Sequence, residues 1–185
     1  MIIPTSKSFF FLNLIMQLGH AARVSQPNQV TAAKACQEAA DVPLCLDLLN
    51  SRPQINDLKQ AAFVAFQAAS AEAVQTSQFI KSTREKEEGK EVTEDSIEEE
   101  TLADCSQNYG SIAEIMAEAT NALMSGPEAD VSVEIKAAIA TAETCGKSIR
   151  EGKKSRQVEE VAKKNEHVIK LCSNALSVYN VYATT

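Results

Sequence analysis

The stretch TLADCSQNYGSIAEIMAEATNALM, residues 101–124, decides the fold. Its apolar residues fall at Leu102, Cys105, Tyr109, Ile112, Met116, Ala119 and Leu123, in alternating steps of three and four. That spacing puts them on one face of an α-helix, with Asp104, Gln107, Ser111, Glu114 and Glu118 outside it. A helix with one apolar stripe must bury it against other elements, so the question becomes what the rest of the chain offers.

It offers three more stripes of the same kind. Residues Val131, Ile135, Ala138, Ala142, Cys145 and Ile149 step by four and three. Val158, Val161, Val168, Cys172, Ala175 and Tyr179 form the last row, interrupted by Asn165. An earlier row holds Leu58, Ala62, Ala65, Ala69, Thr76 and Ile80, interrupted by Glu72. Breakers separate them at Arg52-Pro53, Gly89, Gly126-Pro127 and Gly152, and no stretch sustains the period-two alternation of a strand. Four stripes joined by short connections predict an all-α fold, an up-down four-helix bundle over about residues 54–182. Residues 28–50, broken at Pro43, add a short helical hairpin ahead of it. Ser96 and Glu99 have the spacing of a capping box, while Glu87/Glu91, Glu94/Glu98 and Asp95/Glu99 set like charges four apart. The join at residues 86–95 is therefore expected to be bent or frayed.

The compartment governs how the cysteines are read. Residues 1–21 carry Lys7, an apolar run from Phe9 to Leu18, and Gly19-His20-Ala21 before a cleavage point at Ala22. This is the anatomy of a signal peptide, and the run is far shorter than the ~20 residues that span a bilayer. The mature chain, 22–185, is expected to be one soluble secreted domain with no membrane contact after cleavage, in a compartment where disulfides persist.

Five cysteines then divide by position. Cys36 and Cys45 flank the short segment around Pro43, so a bridge between them ties off a hairpin. Cys105, Cys145 and Cys172 all lie on inward rows, and height along the bundle separates them. At ~1.5 Å per residue Cys105 lies ~33 Å before the turn near Pro127 and Cys145 ~27 Å after it. About the turn near Gly152 the corresponding figures for Cys145 and Cys172 are ~11 and ~30 Å, too uneven for a bridge. The expected pairs are Cys36–Cys45 and Cys105–Cys145, with Cys172 left as a thiol that packs as a small hydrophobe. Loop-closure entropy assigns ~3 kcal/mol to the short bridge and ~4 to the long one.

Charge excludes some functions. Removing Lys7 with the leader leaves 17 basic and 25 acidic residues, a net charge of −8. The imbalance sits in residues 85–104, where Glu85, Glu87, Glu88, Glu91, Glu94, Asp95, Glu98, Glu99, Glu100 and Asp104 face only Lys86 and Lys90. With no basic, aromatic-interleaved patch elsewhere, nucleic acid is not an expected partner. The mature chain keeps one histidine, His167, and has no nucleophile elbow, phosphate loop or HExxH pair. The acidic run lacks the Asp/Asn-Gly order of an EF-hand, and no cysteine has zinc-knuckle spacing. No enzyme activity, cofactor or metal is expected, and no Asn-x-Ser/Thr sequon is present.

Several short elements recur together in a known order and spacing: the pair Cys36 and Cys45, Asp57-Leu58-Lys59, Cys105-Ser106-Gln107-Asn108-Tyr109, Ala137-Ala138 before Thr144-Cys145, and Leu171-Cys172-Ser173-Asn174-Ala175-Leu176. As an ordered set over about residues 28–182 they resemble the plant invertase and pectin methylesterase inhibitor family. The resemblance implies a helical hairpin plus a disulfide-bridged four-helix bundle that blocks the active-site cleft of one of two secreted enzymes. Invertase inhibitors of the family insert a Pro-Lys-Phe element, and here the matching place reads Pro127-Glu128-Ala129, without the cation and the aromatic. Pectin methylesterase inhibitors instead lay polar outer faces of bundle helices across their target, and a fifth cysteine such as Cys172 occurs in some of them. The resemblance therefore implies a one-to-one complex with pectin methylesterase in the apoplast, with acid invertase, of wall or vacuole, as the alternative. A non-inhibitory extracellular bundle is the alternative of another class. Contact candidates are Pro127 and Glu128 at the turn and Glu98 and Glu99 in the acidic window, which would attract a basic wall enzyme in a salt-sensitive way.

Overall fold

A computed structural model describes residues 27–87, 96–126, 131–152 and 155–185, with the backbone alone at 27–30, 86–87 and 96–99. The expected cleavage site, residues 88–95 of the join expected at 86–95, and Pro127 and Glu128 lie outside the described residues. Among the described residues six helices follow one another: α1 (Pro27–Ala35), α2 (Val42–Asn50), α3 (Leu58–Glu87), α4 (Ser96–Ser125), α5 (Val131–Glu151) and α6 (Arg156–Ala183). No strand occurs among the described residues.

The helix ends have local causes. Asp41 caps α2, its Oδ1 accepting the Leu44 N–H at 3.1 Å, and Pro43 sits in the first turn where its missing N–H costs nothing. Asp57 caps α3 in the same way, accepting the Gln60 N–H at 2.8 Å. Ser155 caps α6 through the Val158 N–H at 3.2 Å. Gly126 ends α4 at φ 120°, a backbone region that L side chains rarely adopt.

α3 packs between α4 and α6, and α5 packs between the same two on the opposite side, which closes a four-helix bundle. Every residue of the stripe from Leu102 to Leu123 is buried, as is every residue of the stripe from Val131 to Ile149. On α3 the contact face is largely alanine: Ala61, Ala62, Ala65, Ala69 and Ala73 are buried around Phe66. Small side chains let helices approach until backbone atoms can be reached. Ser70 Oγ donates to the Ala113 carbonyl of α4 at 3.3 Å, and Ser77 Oγ to the Ser106 carbonyl at 3.4 Å.

The hairpin α1–α2 docks on α3 and α6. Ala32, Ala35, Cys36, Cys45, Leu49 and Ile55 bury its inner side. α6 serves two neighbours and carries two rows: Leu171, Asn174, Val178 and Val181 are buried beside the row through Cys172 and Ala175. Asn174 supplies the polar part of the docking. Its Oδ1 accepts the Asp41 N–H at 2.8 Å and its Nδ2 donates to the Asp41 carbonyl at 2.9 Å. The Asp41 carboxylate also lies 3.5 Å from Lys170 Nζ, which reaches Glu166 at 3.1 Å.

Candidate functional site: a disulfide-locked helix face

The bridge between Cys105 and Cys145 brings the Cα atoms of α4 and α5 to 4.9 Å, and both residues are fully buried. Cys36 and Cys45 are bridged within the hairpin at a Cα separation of 5.8 Å. Cys172 is a buried free thiol, pushed up to about 12 by desolvation, so it stays neutral and unreactive at physiological pH. Of the proposed contact residues, Glu98 and Glu99 belong to the first turn of α4, where only the backbone is described.

The bridge defines an outer face. On α4, Ser106 and Ala113 turn their carbonyls to α3, whereas Cys105 points to α5, so helical geometry puts Asp104, Asn108, Ser111 and Ile115 on the flank toward α5. On α5, Gly146 faces Asn165 of α6 while Cys145 faces α4, so Ala137, Thr141, Thr144 and Ser148 form the matching flank. These side chains are short. The hydroxyls of Thr141 and Thr144 donate to their own helix, to the carbonyls of Ala137 and Ala140, each at 2.9 Å, and Ser148 Oγ reaches the Thr144 carbonyl at 3.3 Å. Only Asp104 of the eight is charged. Such a face loses little side-chain entropy when covered, and its backbone is already fixed. Sequence reasoning marked the inward rows but not this one, although the four-three-four spacing of 137, 141, 144 and 148 is readable once Cys145 is known to face α4.

Shallow hollows lie elsewhere among the described residues. One of about 550 Å³ runs between α3 and α4 past Gln67, Ala71 and Asn121, with Arg52 at its edge. Two others, of about 470 and 420 Å³, meet at Lys59 and Tyr182 where α6 ends. None joins a histidine or cysteine to a carboxylate, and the described residues contain no cluster of metal-ligating side chains. No described helix is long and apolar enough to cross a membrane.

A hairpin docked on a four-helix bundle, two bridges and a short-chained outer face define an all-α helical-bundle protein. The family model for plant invertase/pectin methylesterase inhibitors matches residues 31–178, and the chain belongs to that family. Two solved structures share the fold. A mutant form of a pectin methylesterase inhibitor from Arabidopsis superposes with a TM-score of 0.66 at 21% identity, covering 80% of this chain and 96% of that one. A pectin methylesterase inhibitor from Arabidopsis thaliana gives a TM-score of 0.59, also at 21% identity, over 83% and 96% of the two chains. No curated protein matches the sequence.

Proposed function

We propose that this chain is a secreted inhibitor of pectin methylesterase, released by cleavage before Ala22, and that it covers the enzyme's active-site cleft in a one-to-one complex through the α4–α5 face. The observation that carries this reading is the disulfide between Cys105 and Cys145 beneath a row of short, internally hydrogen-bonded side chains. Occlusion by a folded protein needs a surface already in its bound shape, because ordering costs are subtracted from affinity. A covalently fixed helix pair with alanine, serine and threonine outside supplies one. Family membership narrows the target to two enzymes, and the sequence Pro127-Glu128-Ala129, without a cation or an aromatic, favours the esterase.

The test is a paired titration of the oxidised mature chain against pectin methylesterase and acid invertase. Stoichiometric loss of pectin demethylation with invertase untouched supports the reading, and inhibition of invertase alone reverses it. Within that assay, Thr144→Arg places a long cation at the centre of the face. It is expected to weaken inhibition by about a hundredfold, as loss of a central contact does at interfaces. Glu159→Arg, on the exposed side of α6, is expected to leave inhibition intact.

The acidic window adds a long-range contribution to the same complex. Attraction between Glu98, Glu99 and Glu100 and a basic enzyme raises the association rate and is screened within ~10 Å at 0.1 M salt. The triple change to Gln should slow association several-fold at low ionic strength and flatten its salt dependence. Stopped-flow rates that are the same for both proteins at every salt concentration would reduce the window to a solubility feature.

A further inference from the structure

Glu72 and Asn165, which interrupt two of the rows, lie at one level of the bundle, and all four long helices contribute there. Tyr109 of α4 crosses the core fully buried, and its hydroxyl donates to Asn165 Oδ1 of α6 at 2.5 Å. Asn165 is itself 5% exposed. Its amide nitrogen lies over Gly146 of α5, so close that a Cβ at 146 would come within 2.7 Å of it. On α3, Glu72 pairs at 4.0 Å with Lys164, the neighbour of Asn165. Desolvation, then the Cys172 thiol, then the Glu72 carboxylate all push the Tyr109 hydroxyl upward, so it remains a neutral donor.

This belt contrasts with its surroundings. Around it the buried rows mix small and β-branched residues, Ala119, Ala138, Ala142, Ala175, Val161 and Val168, with larger ones such as Ile112, Met116 and Ile135. Where small residues repeat, as at Ala138 and Ala142, a helix can slide a turn past its neighbour at little packing cost, so those stretches specify register weakly. A buried hydrogen bond does the opposite. Tyr109 and Asn165 are both satisfied in one alignment and both orphaned in a shifted one, which costs ~1–3 kcal/mol per group. A single polar residue in an apolar seam sets register in coiled coils by this means. The missing side chain at Gly146 fixes the third coordinate, the approach of α5 to α6.

We propose that Tyr109, Asn165 and Gly146 are positioning residues of the inhibitor: they lock the register of α4 and α5 against α6 and thereby hold the α4–α5 face in its inhibitory shape. The proposal rests on the inhibitory reading given above. Its test uses the oxidised mature chain with the pair Tyr109→Phe and Asn165→Leu, which replaces the belt by apolar groups of similar size and leaves no orphan. Helicity and melting temperature should be kept. Amide hydrogen exchange in the core turns of α4 and α6 should accelerate about tenfold, and about ten times more inhibitor should be needed for half-inhibition of pectin demethylation, the scale of a pairwise coupling. Gly146→Ala should have a similar effect alone but a much smaller further one in an Asn165→Ala background, where the clashing amide is gone. An apolar double variant that exchanges and inhibits like the wild type overturns the proposal, as does additivity of Gly146→Ala with Asn165→Ala. If the wild type inhibits neither enzyme, the inhibitory reading falls and takes the link to function with it, while the exchange rates still decide the register.

Discussion

Cys172 shows how far one side chain's surroundings determine its chemistry. Its thiol lies in the core with no charged partner to stabilise a thiolate, and desolvation raises it from 9.0 to about 12. Native protein at pH 8 should resist iodoacetamide, and one equivalent should react per chain once it is unfolded in urea without reductant; rapid native labelling would contradict the burial. The same shift makes stability depend on pH. An acid raised on folding keeps its proton in the folded state where the unfolded chain has lost it, so the contribution is complete below pH 9 and is lost on the way to pH 12. Tyr109, raised from 10.0, acts in the same direction at higher pH. The urea midpoint should fall from pH 8 to pH 11, and less steeply in Cys172→Ala. Burial of this residue was legible in its place on a stripe. The partnership of Tyr109 with Asn165 was not, because 56 residues separate them and only the assembled bundle makes them neighbours. The breaks at Glu72 and Asn165 were visible, but as gaps in two patterns rather than as one feature.

Among the elements, α6 carries the least expected load. It lines the bundle with one row and receives the hairpin on the other, and Asn174 is the polar member of the second row. Asn174→Ala removes both hydrogen bonds to the Asp41 backbone; the N–H loses its acceptor, while the carbonyl keeps the Cys45 N–H at 3.0 Å. The expected cost is ~1–3 kcal/mol. Because Cys36 and Cys45 hold the hairpin together, the loss should appear as undocking of a unit. Amides 31–50 should exchange faster while those of α4 and α5 keep wild-type rates; uniform acceleration would show that hairpin and bundle unfold together. The sequence carried a signal for this second row in the spacing of 171, 174, 178 and 181. The stronger row through Cys172 masked it, and nothing local reveals that a hairpin 133 residues upstream is what it faces. On α3 the same ambiguity displaced Phe66, which is buried although it lies off the row through Ala62, Ala65 and Ala69.

At the scale of the molecule, the described residues form a closed ring of four helices with a docked hairpin, and this class was readable because the stripes are long and the breakers fall between them. What one row cannot state is which neighbour each flank of a helix meets, and the α4–α5 face depends on that. The bridge between Cys105 and Cys145 has a further consequence when the chain meets a protease. It spans the connection between α4 and α5, so a peptide bond cut anywhere in residues 127–130 leaves the two pieces joined. Such a chain should run as one band without reductant and as two with it. Held together in this way, the clipped form should keep the helical content of the intact chain, which makes covalent topology a measure of lifetime as well as of stability.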